Sequence, residues 1–423
     1  MKKTPREGGW YVRKFFPHFD QPLDFASAKR RVEDDAWVAA HAFWPFLGFE
    51  DRKRRFRTVK GERKADTKSR PIKYCSHVDG YVFAYYAFCA QEAYERYIKN
   101  KAFAESVIGY RKGLGTNIDM ANDAFREILR RKRAVAICLD ITSFFDTVDH
   151  QILKTNLQRV LGAHRLSKSW FAVYRAMTRY AWIDAEQLQR RLGIDPAKPP
   201  RPLCSASEFR SKVRGDGGML QNLIKTNDKK HGIPQGSPIS AILSNVFMLD
   251  FDAAVHAYVS KWGGSYRRYS DDIMVICAPS FRLQVVNFVR KEIAKLGGAV
   301  TLSEEKTEIS TFERKGGSVT CDRPATYLGF TFDGTRVSLR GRTLSRYYRR
   351  MSYATRHAAA SARAKGSAIV FKRKLFRDFS HLGSDNFYSY ARRAAKTFDN
   401  KSPTKQLRRH VRILYRKLSN GGR

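Results

Sequence analysis

Apolar and polar positions recur along this chain with two periods, and the switches between them mark out its elements. Short runs rich in β-branched and aromatic residues predict strands at Ala134–Ile141 (AVAICLDI), at Tyr266–Tyr269 resuming after a turn as Ile273–Cys277 (IMVIC), and at Tyr327–Phe332 (YLGFTF). Apolar residues returning every three or four positions predict helices over Tyr81–Ile98, Asn117–Arg130, Gln151–Leu161, Ser240–Tyr258 and Leu283–Leu296. Strands interleaved with amphipathic helices predict an α+β layered fold. The stretch Pro196–Asp228, rich in Pro, Gly, Ser and Lys, reads as a loop or mobile insertion. After residue 340 the pattern is mostly helical, and no internal repeat is visible.

Composition adds a partner class. At 423 residues the chain is long enough for two or three subdomains, and 43% hydrophobic residues suit a folded core, not a basic tail. Lys and Arg number 80 against 40 Asp and Glu, a net charge of +40, which attracts polyanions and favours a nucleic-acid enzyme over a ribosomal or chromatin protein. The charge is concentrated in two places. Residues 51–73 hold 11 basic and 3 acidic side chains, and residues 340–423 hold 23 basic and 3 acidic. A more balanced centre between two basic arms suits a clamp on a duplex. The six cysteines are scattered, without zinc-ligand spacing or a secreted disulfide pattern. With no apolar leader at the N-terminus and no run of ~18 apolar residues, the expectation is a cytoplasmic protein without a membrane partner.

The chemistry centres on Tyr269-Ser270-Asp271-Asp272, where apolar flanks predict a β-hairpin whose turn displays two carboxylates. An isolated Asp-Asp in a turn is ordinarily structural. Here Asp140 ends another apolar strand, and carboxylates next to buried strands are costly without a cation. Mg²⁺ takes oxygen ligands, and two such ions about 4 Å apart can activate a hydroxyl and stabilise a leaving pyrophosphate. Phe145 reads from the residues alone as a core aromatic. Asp146 reads as the cap of a helix starting near Thr147, with Asp149 near its third position. In His231–Pro238 (HGIPQGSP), Ser237 is the expected N-cap and Pro238 the first residue of the next helix.

LDITSFFDTVDH, HGIPQGSPIS, YSDD, LSEEKT and YLGF resemble, in that order, the palm motifs of reverse transcriptases, over roughly Arg70–Phe332. SRPIKYCSHVDGYVFAYYAF and VIGYRKGLGTNIDMANDAF resemble the fingers of the bacterial branch (retrons, group II introns and most closely the defence-associated enzymes). The resemblance implies a right-hand polymerase fold with fingers, an antiparallel palm sheet backed by helices, and a helical thumb. Its divisions would be an N-terminal extension (1–60), fingers (61–135), palm (136–150 and 231–335), an insertion (151–230) and a basic thumb (336–423). It implies that Asp140, Asp271, Asp272 and the Ile141 carbonyl hold two Mg²⁺ ions, with Mn²⁺ able to substitute. Phe145 would be the gate that excludes a ribose 2′-OH, Gln235 and Gly236 would line the nascent base pair, and Arg70 with Lys73 would bind the dNTP. Lys306 is either a proton donor to pyrophosphate or a surface charge beside Glu304 and Glu305. Tyr327, Leu328, Gly329 and Phe330 would grip the primer. Ser270 replaces the commoner Ala but is equally suited, being small. Arg346, Arg349, Arg350, Arg408, Arg409 and Arg412 stand on faces dense enough in Arg to contact the nucleic-acid backbone.

The expected partners are a structured non-coding RNA template, its cDNA product and dNTPs, in bacterial antiviral defence. The alternatives are an RNA-directed RNA polymerase, against which Phe145 speaks, a maturase-like RNA-binding scaffold, and an untemplated or protein-primed DNA polymerase. Template identity, priming mode and oligomeric state stay open at this stage.

Overall fold

The computed structural model describes residues 7–59, 62–218, 220–367 and 370–419. Among the described residues, fourteen strands form four sheets. The first, β1 (Phe46–Glu50), is followed by a two-stranded ribbon, β2 (Lys53–Val59) and β3 (Glu62–Lys68), and then by β4 (Pro71–Tyr74). Most side chains of the basic run 51–73 lie outside the described ones. Strand β5 (Arg133–Asp140) enters the central sheet, while β6 (Ala181–Asp184) and β7 (Lys225–Thr226) return to the first sheet, whose order is β4-β1-β6-β7. Strands β8 (Ser265–Tyr269), β9 (Asp272–Cys277), β10 (Glu308–Lys315) and β11 (Ser318–Cys321) complete the central sheet as β11-β10-β5-β9-β8, antiparallel throughout. A small sheet of β12 (Ala325–Tyr327), β13 (Phe330–Phe332) and β14 (Val337–Leu339) leads to the C-terminal helices.

Side chains alternate across a strand, so a strand buried on both faces is apolar nearly throughout. In β5, Val135, Ile137 and Leu139 enter one core, which is formed with helices His77–Ile98, His150–Leu161, Ser240–Phe247, Leu249–Lys261 and Arg282–Ala294. Ala134 and Ala136 face a second core, shared with helix Asn117–Arg130 and the C-terminal helices through Tyr347, Met351, Leu375 and Leu414. The fold is therefore α+β, with the five-stranded antiparallel sheet at its centre and the helices of residues 341–419 packed through the second core. The helix starts follow local chemistry: Ser76 caps His77–Ile98, Thr116 and Asp119 form a capping box on Asn117–Arg130, and Asp149 caps His150–Leu161.

Three elements differ from expectation. The helix expected over Ser240–Tyr258 is two helices meeting at 50° around Met248. The bend lets the first pack on His77–Ile98 and His150–Leu161 while the second packs on β8 and Arg282–Ala294. Among the described residues no single helix is long and apolar enough to cross a membrane. YLGFTF is a hairpin and not one strand, because Leu328 (φ +45°) and Gly329 (φ +94°) reverse the chain between β12 and β13. Finally, 196–228 is not a bare loop. Leu203, Phe209 and Val213 are buried with Phe19, Leu47, Ile183 and Leu188 in a satellite core, which composition concealed because only these few apolar residues carry it.

Candidate active site

The register of β5 against β9 places Asp140 directly opposite Asp272. Asp271 precedes it in the two-residue turn Ser270–Asp271 that joins β8 to β9. Three carboxylates from two distant segments of the chain are thus gathered at one end of the central sheet. Ser270 has φ +58°, a costly conformation for a residue with a side chain, so the turn must be held by its surroundings. Gly109 presses on it so closely that a Cβ there would lie 2.8 Å from the Ser270 amide and 3.0 Å from the Tyr269 Cα.

Crowding of like charges shows in the acid strengths. Asp272 opens onto the cleft, yet loss of solvation against the cleft walls, then repulsion from Asp271 and Asp140, push its pKa up to about 6 despite Lys306 and Arg340. Burial, then repulsion from Asp140, also raises Asp271 against the opposing pull of its own backbone amide and Lys306. Lys306, on a short 3₁₀ turn (Glu304–Lys306), forms an ion pair with Asp140. Glu304 is taken instead by Arg290, 3.0 Å from both carboxylate oxygens, so Lys306 faces the carboxylates and not its acidic sequence neighbour.

The donor set fits hard divalent cations: carboxylate oxygens whose mutual repulsion a cation would relieve. The Ile141 carbonyl is a fourth candidate, since the bonds joining this segment to residues 301–303 use the Asp140 carbonyl (from the Ser303 amide, 2.8 Å) and the Thr142 amide (to the Thr301 carbonyl, 2.9 Å). Among the described residues no three His, Cys or acidic side chains converge on one point as they stand, Asp140 being engaged by Lys306.

The turn after β5 is zipped to the His231–Pro238 loop. The Phe145 carbonyl accepts from the Ile233 amide and the Val148 carbonyl from the Gly232 amide, both at 2.8 Å, and His231 Nδ1 bonds the Asp146 carbonyl at 2.8 Å. Phe145 is half-buried against the core, with its ring 5.6 Å from that of Phe144. The loop then crosses β4, where the Gln235 carbonyl accepts from the Lys73 amide at 2.9 Å and Gly236 passes so near that a Cβ would lie 2.6 Å from the Lys73 carbonyl.

Several expected roles change with position. Lys73 is 7% exposed, its ammonium 5.3 Å from the Tyr180 ring centre and 5.2 Å from that of Trp182. Burial lowers its pKa, with Asp146 opposing. It is packed between the two rings, whereas Arg70 is exposed. Ser237 is not the N-cap: the helix begins at Ser240, and the Ser237 hydroxyl is buried without a hydrogen-bond partner. Asp146 is no cap either, because Ser143 (φ +46°) starts the short helix Phe144–Thr147 and Asp149 caps the next. Tyr327 and Phe330 turn into the core, leaving the Leu328–Gly329 turn, tied by Asn117 Nδ2 to the Leu328 carbonyl at 3.0 Å, as the part able to meet a primer. Arg346, Arg349, Arg350 and Arg412 are exposed on the C-terminal helices, and Arg408 and Arg409 are exposed in the turn between Ser402–Lys405 and His410–Ser419.

Sequence reasoning missed Arg268 and Asp252, a fully buried ion pair beneath the Ser270 turn. The signal was present. Tyr266 and Arg268 share the inward face of β8, and Asp252 falls on the buried stripe Asp252-Val255-Val259 of its helix.

An antiparallel sheet brings three aspartates to one end, with a Gly/Pro loop laid across β4. Residues 200–332 match the family described as Reverse transcriptase (RNA-dependent DNA polymerase), a segment that contains Asp271 and Asp272. Asp140 lies outside the matched segment and joins it through the β5–β9 pairing. No curated protein sequence matches the chain. Apo telomerase from Candida tropicalis, truncated from its C-terminal domain, is similar at 12% identity and TM-score 0.44 over 68% of this chain and 55% of that one. Telomerase from Candida albicans in complex with a TWJ fragment of telomeric RNA is similar at 12% identity and TM-score 0.38 over 93% of this chain and 62% of that one. The chain thus spans about half the length of the first of these, and likeness at this level carries no argument about activity.

Proposed function

We propose that this chain is an RNA-directed DNA polymerase that copies an RNA template into cDNA from dNTPs. The observation that carries the reading is the placement of Asp140 opposite Asp272 and beside Asp271, with Lys306 facing the group. When bound, two Mg²⁺ ions would activate the primer hydroxyl and neutralise the leaving pyrophosphate. Asp140, Asp271, Asp272 and the Ile141 carbonyl would hold the ions, and Lys306 Nζ would give a proton to the pyrophosphate. Phe145, held at the cleft by the zipped loops, leaves no room for a ribose 2′-OH. Gln235 and Gly236 flank the nascent pair, Arg70 meets the triphosphate, and the Leu328–Gly329 turn supports the primer. The exposed thumb arginines grip phosphates without reading sequence.

Two finer readings go with this. The template is a dedicated structured non-coding RNA, which the net charge of +40 supports, and the setting is bacterial antiviral defence in the cytoplasm, supported by the similarity of the fingers sequence to the defence-associated branch. Sequencing the nucleic acid that co-purifies with the protein tests both. One abundant RNA species with complementary DNA is expected, and recovery of no specific RNA and no DNA would overturn the dedicated-template reading. For the activity, primer extension on an RNA template with dNTPs or rNTPs decides. The proposal expects dNTP incorporation, and a preference for rNTPs would contradict it.

A further inference from the structure

Directly beneath the Ser270–Asp271 turn, Arg268 is the largest fully buried side chain among the described residues, and its partner Asp252 is equally buried. Arg268 Nε donates to Asp252 Oδ1 at 2.7 Å and Nη2 to Oδ2 at 2.6 Å, a bidentate fork, while the Tyr266 hydroxyl donates to Asp252 Oδ1 at 2.6 Å. Buried pairs of this kind are poor sources of net stability, because desolvation offsets their attraction, so the pair calls for another explanation.

The remaining donors supply one. Arg268 Nη1 donates to the Ser270 carbonyl at 3.0 Å and to Asn245 Oδ1 at 3.2 Å, and Asn245 Nδ2 donates to the Gly109 carbonyl at 2.9 Å. The Arg268 carbonyl accepts from the Ile108 amide at 3.0 Å and the Gly109 amide at 3.3 Å. The strained turn is held from outside, by Arg268 below and Gly109 at its side. One guanidinium therefore joins the Ser270 turn, the helix carrying Asp252 and the helix that follows the His231–Pro238 loop, and Asn245 with the Arg268 carbonyl extends the network to the 107–109 segment.

We infer that Arg268, clamped by Asp252, is a positioning residue for the metal-binding carboxylates: it fixes the Ser270–Asp271 turn so that Asp271 and Asp272 meet Asp140 in cation-binding geometry. This rests on the polymerase reading, since it assumes that those carboxylates hold the cations.

Removing one partner strands a buried charge and can cost the fold, so the informative variant removes both. Arg268→Met/Asp252→Leu is compared with wild type and with Arg268→Lys, which keeps the charge but loses the fork, all in the full-length chain. Thermal melting, template–primer Kd, Mn²⁺ binding by EPR titration, and kcat and dNTP KM across Mg²⁺ concentrations are measured. The expected result for the double variant is a native-like melt and template–primer Kd, Mn²⁺ affinity weakened by about tenfold or more, and a similar rise in the Mg²⁺ needed for half-maximal rate. At saturating Mg²⁺ the dNTP KM should stay near the wild-type value while kcat is lowered, and Arg268→Lys should fall between. If the double variant melts natively and binds Mn²⁺ as wild type does, the inference is overturned. If the double variant unfolds, Arg268→Lys decides: wild-type Mn²⁺ binding in that folded protein would reduce Arg268 to a fold residue. Should wild type bind Mn²⁺ through these carboxylates yet extend no primer, the polymerase reading fails while the positioning role stands on the EPR result.

Discussion

Lys306 and Asp140, far apart in the chain, form an ion pair at the mouth of the palm, joining the short turn after the Arg282–Ala294 helix to the end of β5. The lysine faces the carboxylates proposed to hold cations, and its charge eases the repulsion felt by Asp271 and Asp272. On that reading Asp140 would hold a cation and the Lys306 ammonium would serve as proton donor.

Replacing Lys306 by Met should therefore lower kcat by roughly 10²-fold, the scale of a lost general acid, with little change in dNTP KM. Single-turnover kinetics on a preformed template–primer complex would show it. A kcat equal to that of wild type would make Lys306 a charge partner only.

Proton and metal compete for the same carboxylates. Burial and like charges raise Asp272 from 3.8 to about 6, so the folded protein binds this proton more tightly than the unfolded chain. Its contribution to metal-free stability thus falls as pH rises through roughly 4 to 6. His18 works in the opposite sense: burial lowers its pKa to about 4, so its contribution rises with pH from about 4 to 6.5. Comparing melts in EDTA and in Mg²⁺ cancels the His18 part. The Mg²⁺-induced gain in Tm should be small below about pH 5 and reach a plateau above about pH 7, and the half-saturating Mg²⁺ should fall over the same range. A gain independent of pH would place the cation elsewhere.

At the fingers–palm crossing, Gly236 has φ +126°, and a Cβ there would lie 2.6 Å from the Lys73 carbonyl. Gly236→Ala should cost about 1–3 kcal/mol in backbone strain, or push the loop off β4 and raise the dNTP KM. Thermal melts and steady-state kinetics together should detect one or both effects.

Phe145 reaches the cleft from a turn bonded on one side to the His231–Pro238 loop. Phe145→Ala should reduce discrimination between dNTP and rNTP by about 10- to 200-fold, mainly by improving rNTP use. Competing both substrates in one primer-extension reaction measures it. Unchanged selectivity would return Phe145 to the role of core aromatic.

Much of this architecture was legible because burial on two faces writes itself into strands such as β5 and β9 as unbroken apolar runs, and one-sided burial writes a 3.6-residue period into helices such as Asn117–Arg130. The gathering of Asp140, Asp271 and Asp272 could be anticipated from their places at the ends of those runs. What stayed hidden depended on partners distant in the chain. The bend at Met248 reflects two different packing surfaces, and the break in YLGFTF reflects positive φ at Leu328, which its side chain does not announce. Lys73 looked like a free cation because nothing local reveals Tyr180 and Trp182 closing over it. Ser237 has the chemistry of a cap, but the loop's bonds to β4 carry the helix start on to Ser240.

The central claim is that Asp140, Asp271 and Asp272 hold the cations of a DNA-synthesising site. It is tested most directly by extending a primer on an RNA template with dNTPs and Mg²⁺, comparing wild type with Asp271→Ala/Asp272→Ala at matched template–primer binding. The account predicts cDNA from wild type and none from the variant despite a native-like melt. Equal extension by both proteins, or none by wild type in either Mg²⁺ or Mn²⁺, would contradict it.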